Sequence, residues 1–543
     1  MIRNKWVLGA TALTLATAVV GCSQKSDNSA NKSASSSPGA ASPSAASPTA
    51  KQDDDKSKKY TIKSMYSTYG QPTPITGPGI TAVNEKFNVD LQSISIPNAA
   101  YEEKYSAMMA SGDLPDILHL KVGDLKGRYR DFARQGAFLP LDDYIDKYPN
   151  LKAVPKSTWD LLRVDGKIYG FPRYNTRLGS SIYLRKDWLD NLGLKVPTNY
   201  DELKQVAIAF AKNDPDKNGK NDTYGLAMGA NFAVDYNMGP YWSSRTWYNK
   251  DKDGNLIPGY VSDAWKKQVQ WFADLYKEGA ISPDFVTLNG NDINKQFYEG
   301  RAGIFSQPPN TLNDALLDPM LKIQPNAKFV ALQPFTDPNG VTALESVNPL
   351  SGMKVLNAKL KSDPGKVNRI LSMWDQLREF IPNSQWGPQN ADFDWRLGKN
   401  GTGYDWDATT KKYTLKPNFD SLGLLPFLYF DENLGFPKKD TDVDFVGTYT
   451  HPQLQDLAKQ LTDIHAKTQH YANPTGPYSS KTEDAKKNTV GTLFVEQQKM
   501  VAGQRPLSDW DKIVKDWMDA GGSEIIKEYN EQIKEKDVKK LLD

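Results

Sequence analysis

Hydrophobic and polar positions along the first half of the chain predict strands and helices in turn. Residues 60–66 and 89–94 have the composition of strands, and residues 116–120 form a short apolar run that fits a buried parallel strand. Helical segments over residues 79–87 and 101–111 lie between them. This alternation of strand and helix predicts an α/β fold.

Helical periodicity recurs along the rest of the chain. The later predicted helices are 187–192, 198–212, 263–278 and 510–543. Either Thr198 or Asn199 can cap the second of these, and Gly279 ends the third. Gly521 and Gly522 interrupt the last one. No repeat of fixed period is present, which argues against solenoid and propeller folds.

The N-terminal residues have the pattern of a secretory signal. Arg3 and Lys5 precede an apolar run over residues 6–20, which predicts a lipoprotein signal peptide at residues 1–21. The run is too short for an ordinary membrane span. Its end, Val19-Val20-Gly21-Cys22, resembles a bacterial lipobox, in which a peptidase cuts before a cysteine that is then diacylated, for example with palmitate.

Cys22 is the only cysteine in the chain, so an internal disulfide cannot form. The alternative to lipidation is a buried thiol, but the position of Cys22 at the end of an apolar run favours lipidation. Residues 22–59 are rich in Ser, Ala, Pro, Asn and Lys, which predicts a disordered tether before a folded part that begins at Tyr60. We therefore expect anchorage on the outer face of the cell membrane, and the long tether favours a Gram-positive cell.

The overall charge and length restrict the function further. Lys and Arg (67) nearly cancel Asp and Glu (65), leaving a net charge of +2. No nucleic-acid partner is expected, and a neutral or mixed polar ligand is favoured over a strongly anionic one. A chain of 543 residues is too long for one compact domain and predicts two or more lobes.

Known catalytic motifs are missing from the sequence. It contains no Gly-x-Ser-x-Gly elbow, no His-Glu-x-x-His motif and no Walker loop. Of its four histidines, His465 and His470 are five residues apart, off one helical face, and are expected to be poor joint ligands. Paired carboxylates depend on the fold, so a secreted, lipid-anchored glycoside hydrolase or polysaccharide lyase stays open as the alternative function.

Several phrases, in order along the chain, resemble one known family. They are GDLPD at 112–116, DGKIYGFP at 165–172, YLRKDWLDNLGL at 183–194, GRAG at 300–303 and GQRPLSDW at 503–510. Together with the lipobox, they resemble the carbohydrate-type (family 1) extracellular solute-binding lipoproteins of ABC importers. The resemblance is to the large branch that includes alginate- and oligosaccharide-binding members.

The resemblance implies a two-lobed, periplasmic-binding-protein-like fold whose hinge the chain crosses more than once. Lobe one would comprise residues 60–172 and 345–436, and lobe two residues 173–344 and 437–543. An oligosaccharide or similar polar solute would be held between the lobes and delivered to the transmembrane subunits of an ABC permease. The resemblance thus implies a receptor that is not an enzyme, and we expect it to be a monomer.

Residues 214–222 (DPDKNGKND) have oxygen donors at the spacing of a calcium-binding loop. The candidate ligands are Asp214, Asp216, Asn218, the Lys220 carbonyl and Asp222. Gly219 stands at the sharp turn, but Gly225 replaces the usual glutamate at position 12, and Thr223 replaces an acid of the alginate-binding relatives. We expect a structural calcium ion here, the alternative being a solvated turn.

A second segment, Asp251-Lys252-Asp253-Gly254, also combines acids with glycine. It has too few ligands for a cation, and Lys252 and Lys250 oppose one. We therefore predict a hairpin turn.

Sugar binding needs flat apolar faces and planar polar groups, which aromatic, Asx and Arg residues on loops supply. The candidate solute-binding residues are Tyr66, Tyr69, Arg173, Tyr174, Arg177, Tyr236, Tyr241, Trp242, Trp247, Trp395 and Arg396. Any one aromatic residue could instead pack in the core or hinge. Tyr236, Tyr241 and Trp242 are favoured because they lie among Asn, Gly, Pro and Ser. Tryptophans at helical spacing are assigned to the core: Trp188, Trp265, Trp271, Trp510 and Trp517.

Overall fold

Residues 60–174 build most of a first sheet and the helices around it. The computed structural model describes residues 54–542 except for 69–75, 126, 378, 383–384, 386, 390–392, 394–399, 417–434, 477, 487–488, 535–537 and 539–540. The strands of this part are β1 (Tyr60–Thr68), β2 (Val89–Pro97), β3 (Ile117–Lys121), β4 (Arg163–Val164), β5 (Lys167–Ile168) and β6 (Gly170–Tyr174). The helices are α1 (Pro78–Phe87), α2 (Asn98–Ser111), α3 (Arg128–Arg134), α4 (Asp142–Ile145), α5 (Pro149–Lys152) and α6 (Lys156–Leu161).

Residues 181–346 build a second sheet. Its part of the chain contains the strands β7 (Ser181–Arg185), β8 (Tyr224–Leu226), β9 (Asn249–Lys250), β10 (Leu256–Ile257), β11 (Ala302–Gln307), β12 (Phe329–Ala331) and β13 (Ala343–Ser346). The helices are α7 (Lys186–Leu192), α8 (Tyr200–Lys212), α9 (Asp263–Lys277), α10 (Gly290–Tyr298) and α11 (Asp314–Ile323).

The strands and helices from residue 350 onward add to both of these parts of the structure. The strands are β14 (Leu350–Leu356), β15 (Tyr404–Asp407), β16 (Lys412–Leu415), β17 (Gln469–Ala472) and β18 (Leu541–Leu542). The helices are α12 (Pro364–Leu377), α13 (Phe445–Thr448), α14 (Pro452–Lys467), α15 (Lys481–Ala485), α16 (Thr489–Val501), α17 (Trp510–Trp517) and α18 (Ser523–Asn530).

The first sheet has the strand order β2-β1-β3-β14-β6. β1 pairs in parallel with β2 and β3, which confirms the predicted parallel arrangement, and β14 adds in antiparallel orientation to β3 and β6. β14 comes from residues 350–356, so a returning segment completes the sheet. One hydrophobic cluster surrounds this sheet and includes Phe171 and Trp374, whose ring centroids are 4.3 Å apart. We call this part the first lobe.

The second sheet has the order β12-β7-β11-β8 and carries a hydrophobic cluster on each face. β7 shows why: Ile182 and Leu184 belong to one cluster, whereas Tyr183 between them belongs to the other. Successive side chains of a strand point to opposite faces, so a fully buried strand serves two cores. The second lobe therefore has a layer of helices on both sides of its sheet.

The chain crosses between the two lobes more than once. Residues 175–180 link β6 to β7, and residues 347–349 link β13 to β14. A further crossing lies between Phe436, which packs on the first cluster, and Phe445, which belongs to a cluster of the second sheet. The first two crossings run side by side, since Asn175 N donates to Pro349 O (2.8 Å) and Val347 N donates to Arg177 O (2.9 Å). The predicted hinge is thus confirmed.

Local predictions agree with the structure at most helix ends. Asn199 is the cap of α8, because its side-chain oxygen accepts the N–H of Glu202 (2.9 Å). The five tryptophans assigned to the core are all buried. The predicted interruption at Gly521 and Gly522 is confirmed, but the predicted helical extension to residue 543 is wrong: α18 ends at Asn530, and β18 pairs in antiparallel orientation with β17. A π-turn over Met518–Gly522 separates α17 from α18, with Gly521 at φ 130°.

Candidate functional site

The carboxylate of Asp440 ties two of the lobe crossings together. Its Oδ1 accepts the Tyr174 hydroxyl (2.8 Å) and the Arg177 backbone N–H (2.9 Å), and its Oδ2 accepts Arg177 Nε (2.6 Å). Asp440 is buried, and burial together with the Asp440 charge raises the pKa of Tyr174 above its usual range. Tyr174 and Arg177, both predicted to bind solute, therefore contact the chain's own hinge, and their contact with a solute stays a prediction.

Two histidines lie beside this hinge. His465 on α14 and His470 on β17 face each other, with His465 Nδ1 2.9 Å from His470 Nε2. The other ring nitrogen of His465 is 3.1 Å from the carbonyl of Gly179 in the first crossing. Burial lowers the pKa of His465 to about 3, and His470 lowers it further in the same direction. The pair is therefore neutral near pH 7 and packs as part of the hinge.

That these histidines are poor joint ligands stays a prediction, but the spacing argument behind it does not describe their geometry. It assumed one helix through both residues, but α14 ends at Lys467 and the chain turns into β17. The turn brings residues five apart into contact, which no helical spacing rule anticipates.

In the first lobe, polar side chains collect near the ends of β3 and β6. Arg173 Nη1 lies 3.1 Å from His119 Nε2 across Gly352 of β14. Gly352 has φ 156°, and a Cβ there would lie 2.8 Å from His119 Nε2, so only glycine leaves room for this contact. Tyr66 is buried at the end of β1. Tyr69, Trp395 and Arg396 lie outside the described residues.

In the second lobe, Tyr236 is a core residue and not a cleft residue. It is 2% exposed, and its hydroxyl donates to the carbonyl of Ala227. Its side chain offers no face to a solute, because the loop that carries it folds inward onto the second sheet. Its polar neighbours in sequence suggested an exposed loop, but the tyrosine itself is enclosed.

The other aromatic candidates of this loop are placed differently. Tyr241 and Trp242 are half-buried, and the Trp242 ring packs edge to face on Tyr200 at 4.7 Å. Trp247 is buried with its ring centroid 4.8 Å from that of Tyr529. Tyr241 and Trp242 thus keep part of their surface available, and their role in binding stays a prediction.

Two acids that were not among the candidate solute-binding residues, Asp235 and Glu345, influence each other next to the hinge. Burial raises the pKa of Glu345 to about 8, the Asp235 charge raises it further, and the Arg245 charge opposes the shift. Burial likewise raises the pKa of Asp235. The backbone carbonyl of Glu345 accepts the N–H of Gly179 (3.2 Å) in the first crossing. Carboxyl groups in such a place, protonated or ionised, can accept hydrogen bonds from the hydroxyl groups of a polar solute.

The loop at residues 214–222 folds around its own polar groups. Asp214 accepts the backbone N–H of Asn218 through Oδ1 and that of Gly219 through Oδ2, both at 3.0 Å. The side-chain nitrogen of Asn218 donates to Asp216 Oδ2 (2.9 Å) and to Asp222 Oδ1 (3.1 Å). Oδ1 of Asp216 is buried and accepts no hydrogen bond within the described part of the chain.

The donor set of this loop fits a hard cation in its chemistry. Three carboxylates and an amide lie on one turn, and the Asn218 nitrogen, a group of partial positive charge, stands between two of the carboxylates. Burial raises the pKa of the Asp216 carboxyl, and the neighbouring Asp214 and Asp222 raise it too. In the described residues no three His, Cys, Asp or Glu side chains stand in metal-binding geometry.

The family model that matches this chain covers residues 73–354 and is described as bacterial extracellular solute-binding protein. The chain belongs to this family. Its members bind solutes and are not enzymes, which confirms the expected class of function and removes the glycoside hydrolase and lyase alternative. The solute-binding protein is thus a receptor that acts outside the cell.

Individual relatives agree with this assignment. The polygalacturonan/rhamnogalacturonan-binding protein YtcQ of Bacillus subtilis is 26% identical over 88% of this chain and 92% of its own. Lipoprotein LipO of the same organism is 23% identical over 87% and 92%. The solved structure of the substrate-binding protein FusA of S. pneumoniae with kestose matches 87% of this chain and 98% of its own, with a TM-score of 0.59 and 18% identity. That last likeness confirms the two-lobed α/β fold.

The family and its relatives place this chain outside the cell. Its predicted attachment to the membrane depends on residues that the structure does not describe. Cys22 lies outside the described residues. Within the residues that are described, no helix has both the length and the apolar character of a membrane span.

Proposed function

We propose that this protein is the lipid-anchored receptor of an ABC importer and that it captures an oligosaccharide between its lobes. The observation that carries the proposal is the repeated crossing between two α/β sheets, with polar and aromatic side chains gathered beside the crossings. Relatives named for binding polygalacturonan or crystallised with kestose support an oligosaccharide as the solute. The proposed lobes are residues 60–172 with 345–436 and residues 173–344 with 437–543, with the boundaries moved by a few residues, because β6 (Gly170–Tyr174) pairs within the first sheet and β13 (Ala343–Ser346) pairs with β17 of the second lobe.

Capture would work by a shift between open and closed states. A solute that contacts both lobes only when they are closed has more favourable contacts in that state, and this difference drives closure. In the second lobe, Asp235, Glu345, Tyr241 and Trp242 would contact the solute, and Arg173 with His119 would contact it from the first. These groups combine hydrogen-bonding partners for hydroxyls with aromatic faces for C–H surfaces.

Anchorage would be provided by diacylated Cys22, followed by the tether over residues 23–59. Two acyl chains hold a protein stably on a membrane, whereas one gives only reversible attachment. The name of the relative LipO, a Bacillus lipoprotein, supports this anchor and a Gram-positive cell. The receptor would act as a monomer that hands its solute to the transmembrane permease subunits. The energy for transport would come from the ATPase of the importer, since this chain has no Walker loop.

The loop at 214–222 would bind one structural calcium ion through Asp214, Asp216, Asn218, the Lys220 carbonyl and Asp222. The buried, unpartnered Oδ1 of Asp216 supports the proposal, because a buried carboxylate oxygen without a hydrogen bond is costly unless a cation neutralises it. The ion would tie down the segment that follows α8.

The proposed function is tested by a thermal-shift screen of the purified protein against neutral and acidic oligosaccharides, followed by small-angle scattering with the best hit. A solute of the folded state raises the melting temperature by mass action, and closure reduces the radius of gyration. We expect both changes, with the oligosaccharide recovered intact. A melting temperature unmoved by the whole panel would contradict the proposal, and recovery of a shortened sugar would replace it with an enzymatic function.

A Trp242→Ala variant tests the aromatic contact. Loss of a stacking face should weaken binding of the same oligosaccharide by about tenfold or more, while Trp406→Ala, a change of a half-buried tryptophan on β15, should leave it unchanged. Equal affinity of Trp242→Ala and wild type would remove Trp242 from the site.

A further inference from the structure

Tyr200, the first residue of α8, packs against the loop that carries Tyr241 and Trp242. Its ring contacts three other aromatic rings, those of Trp242, Phe335 and Trp271, at centroid distances of 4.7, 5.2 and 5.6 Å. Each pair is arranged edge to face, a favoured geometry for aromatic rings. The Trp242 side chain is half-buried, so part of it packs on Tyr200 while the rest remains accessible.

The hydroxyl of Tyr200 holds the backbone of the same loop. It donates to the carbonyl of Tyr236 (2.6 Å) and accepts the backbone N–H of Met238 (3.0 Å). Burial raises the pKa of Tyr200 above its usual range, so the hydroxyl stays protonated and able to donate. Met238 precedes Tyr241 by three positions. The path of the loop toward Trp242 is therefore fixed at the Tyr200 hydroxyl.

Two helices fix Tyr200 itself. α8 begins at Tyr200, and its cap Asn199 accepts the backbone N–H of Glu202 (2.9 Å). The carbonyl of Tyr200 accepts the Nε1–H of Trp271, which lies on α9 (3.1 Å). Tyr200 therefore links the loop to α8 through its own backbone and to α9 through Trp271.

A loop held in this way can present Trp242 in one orientation before a solute arrives. Only those molecules whose loop is in the binding-competent arrangement can bind, and the apparent affinity falls in proportion to their fraction. A residue that raises this fraction strengthens binding without touching the solute. The contacts of Tyr200 with the loop backbone and with the Trp242 ring are suited to this role.

We propose that Tyr200 is a positioning residue for solute binding and holds Trp242 in its binding orientation. The inference rests on the proposed function, since that function makes Trp242 a solute contact. Tyr200 acts in two separable ways. Its hydroxyl fixes the backbone at residues 236–238, and its ring supports the indole of Trp242.

The test uses Tyr200→Phe, which removes the hydroxyl and keeps the ring. Tyr129→Phe is the matched control in the first lobe. The Tyr129 hydroxyl also donates to a carbonyl, that of Leu162 (2.5 Å), and accepts a backbone N–H, that of Tyr169 (3.3 Å). Both variants should lower the melting temperature by similar amounts, because each loses the same two kinds of hydrogen bond. A difference between them in binding therefore does not come from stability alone.

The hold on Trp242 is measured without solute, by acrylamide quenching of tryptophan fluorescence in the purified protein. Each protein is compared with its own Trp242→Ala counterpart, and the difference isolates Trp242 from the other tryptophans. We expect the Trp242 quenching constant to rise by about twofold or more in Tyr200→Phe and to stay at the wild-type value in Tyr129→Phe. An unchanged quenching constant in Tyr200→Phe would overturn the inference.

The effect on binding is measured by stopped-flow fluorescence with trigalacturonate, kestose and the best oligosaccharide of the thermal-shift panel as probes. Loss of one hydrogen bond shifts an equilibrium by about fivefold, so Tyr200→Phe should bind each probe that wild type binds about fivefold more weakly or worse. The loss should appear as slower association with unchanged dissociation, because fewer free molecules are competent. Faster dissociation with unchanged association would overturn the inference, since the hydroxyl would then act in the bound state. Equal weakening by Tyr129→Phe would overturn it as well.

The outcomes also separate this inference from the proposed function. A probe that binds wild type and Tyr200→Phe with the same rates leaves the proposed function standing while the role of Tyr200 fails. If wild type binds none of the probes, the proposed function fails, and the role of Tyr200 in solute binding fails with it.

Discussion

Two loops of the second lobe, residues 214–222 and 251–255, have similar composition but differ in how their carboxylates are stabilised. In the turn at 251–255, Asp251 Oδ1 accepts the N–H groups of Asp253 and Asn255, both at 2.9 Å, and its Oδ2 accepts the Asn255 side chain (3.0 Å). These bonds hold the pKa of Asp251 below its usual range, although partial burial opposes them. In the loop at 214–222, by contrast, three acids share one turn and Asp216 keeps a buried oxygen without a donor.

The difference comes from how many carboxylates each turn must satisfy. One carboxylate in a tight turn finds enough backbone N–H groups, and the predicted hairpin between β9 and β10 is the result. Three carboxylates exceed the supply of donors, and a bound cation would relieve their mutual repulsion. The same residue types thus form a turn that hydrogen-bonds its own carboxylate at 251–255 and a proposed ion site at 214–222.

The largest effect expected from this comparison is calcium-dependent stability of the 214–222 loop. A chelator should lower the melting temperature of wild type by about 3 °C or more, because an ion at a hundred times its Kd contributes about 2.7 kcal/mol to the free energy of unfolding. Asp214→Ala combined with Asp216→Ala should melt at the same temperature with and without chelator. Differential scanning calorimetry measures both. Wild type that ignores the chelator would contradict the ion site.

A smaller effect is expected in the hairpin turn. Asp251→Ala removes the acceptor of three hydrogen bonds in an exposed turn and should cost about 1 kcal/mol of unfolding free energy, measured by denaturant titration. The loss should be the same in calcium and in chelator. A calcium-dependent loss would show that the two loops are not separate in function.

The smallest effect separates charge from ligation in the 214–222 loop. Asp216→Asn keeps the size of the side chain and removes one of three neighbouring charges. In chelator it should be more stable than wild type by about 0.5 kcal/mol, because the carboxylates of Asp214 and Asp222 then repel one charge fewer. In calcium it should be less stable than wild type, because a carboxylate ligand is lost. Asp216→Asn that is less stable than wild type in both conditions would contradict carboxylate repulsion as the cause.

Much of the architecture could be predicted from local pattern. The predicted elements β1, α1, β2, α2, β3, α7 and α8 are all present, and the cap at Asn199 follows from the chemistry of a single side chain. The short strands and helices between residues 128 and 185 were not predicted. The prediction failed at the C-terminal end because β18 forms by pairing with β17, about seventy residues earlier, and such pairing has no local signal in the sequence.

The contacts of the candidate site were the hardest to predict. Asp440 meets Tyr174 across 266 positions of sequence, and Tyr236 lies in the core although its neighbours are those of an exposed loop. Burial of one side chain in a polar segment depends on how the whole loop folds back, which residue types do not encode. The family resemblance supplied the lobes, whereas the individual contacts required the three-dimensional structure.

The Asp440 tie limits how the two lobes can move. A hinge made of one free segment allows bending and twisting about many axes. Here the first and third crossings are joined at a single carboxylate, and the first and second are joined backbone to backbone. Segments coupled in this way bend together, so most twisting motions would break hydrogen bonds that bending preserves. The receptor should therefore close along one path and present one closed shape to whatever takes up its solute.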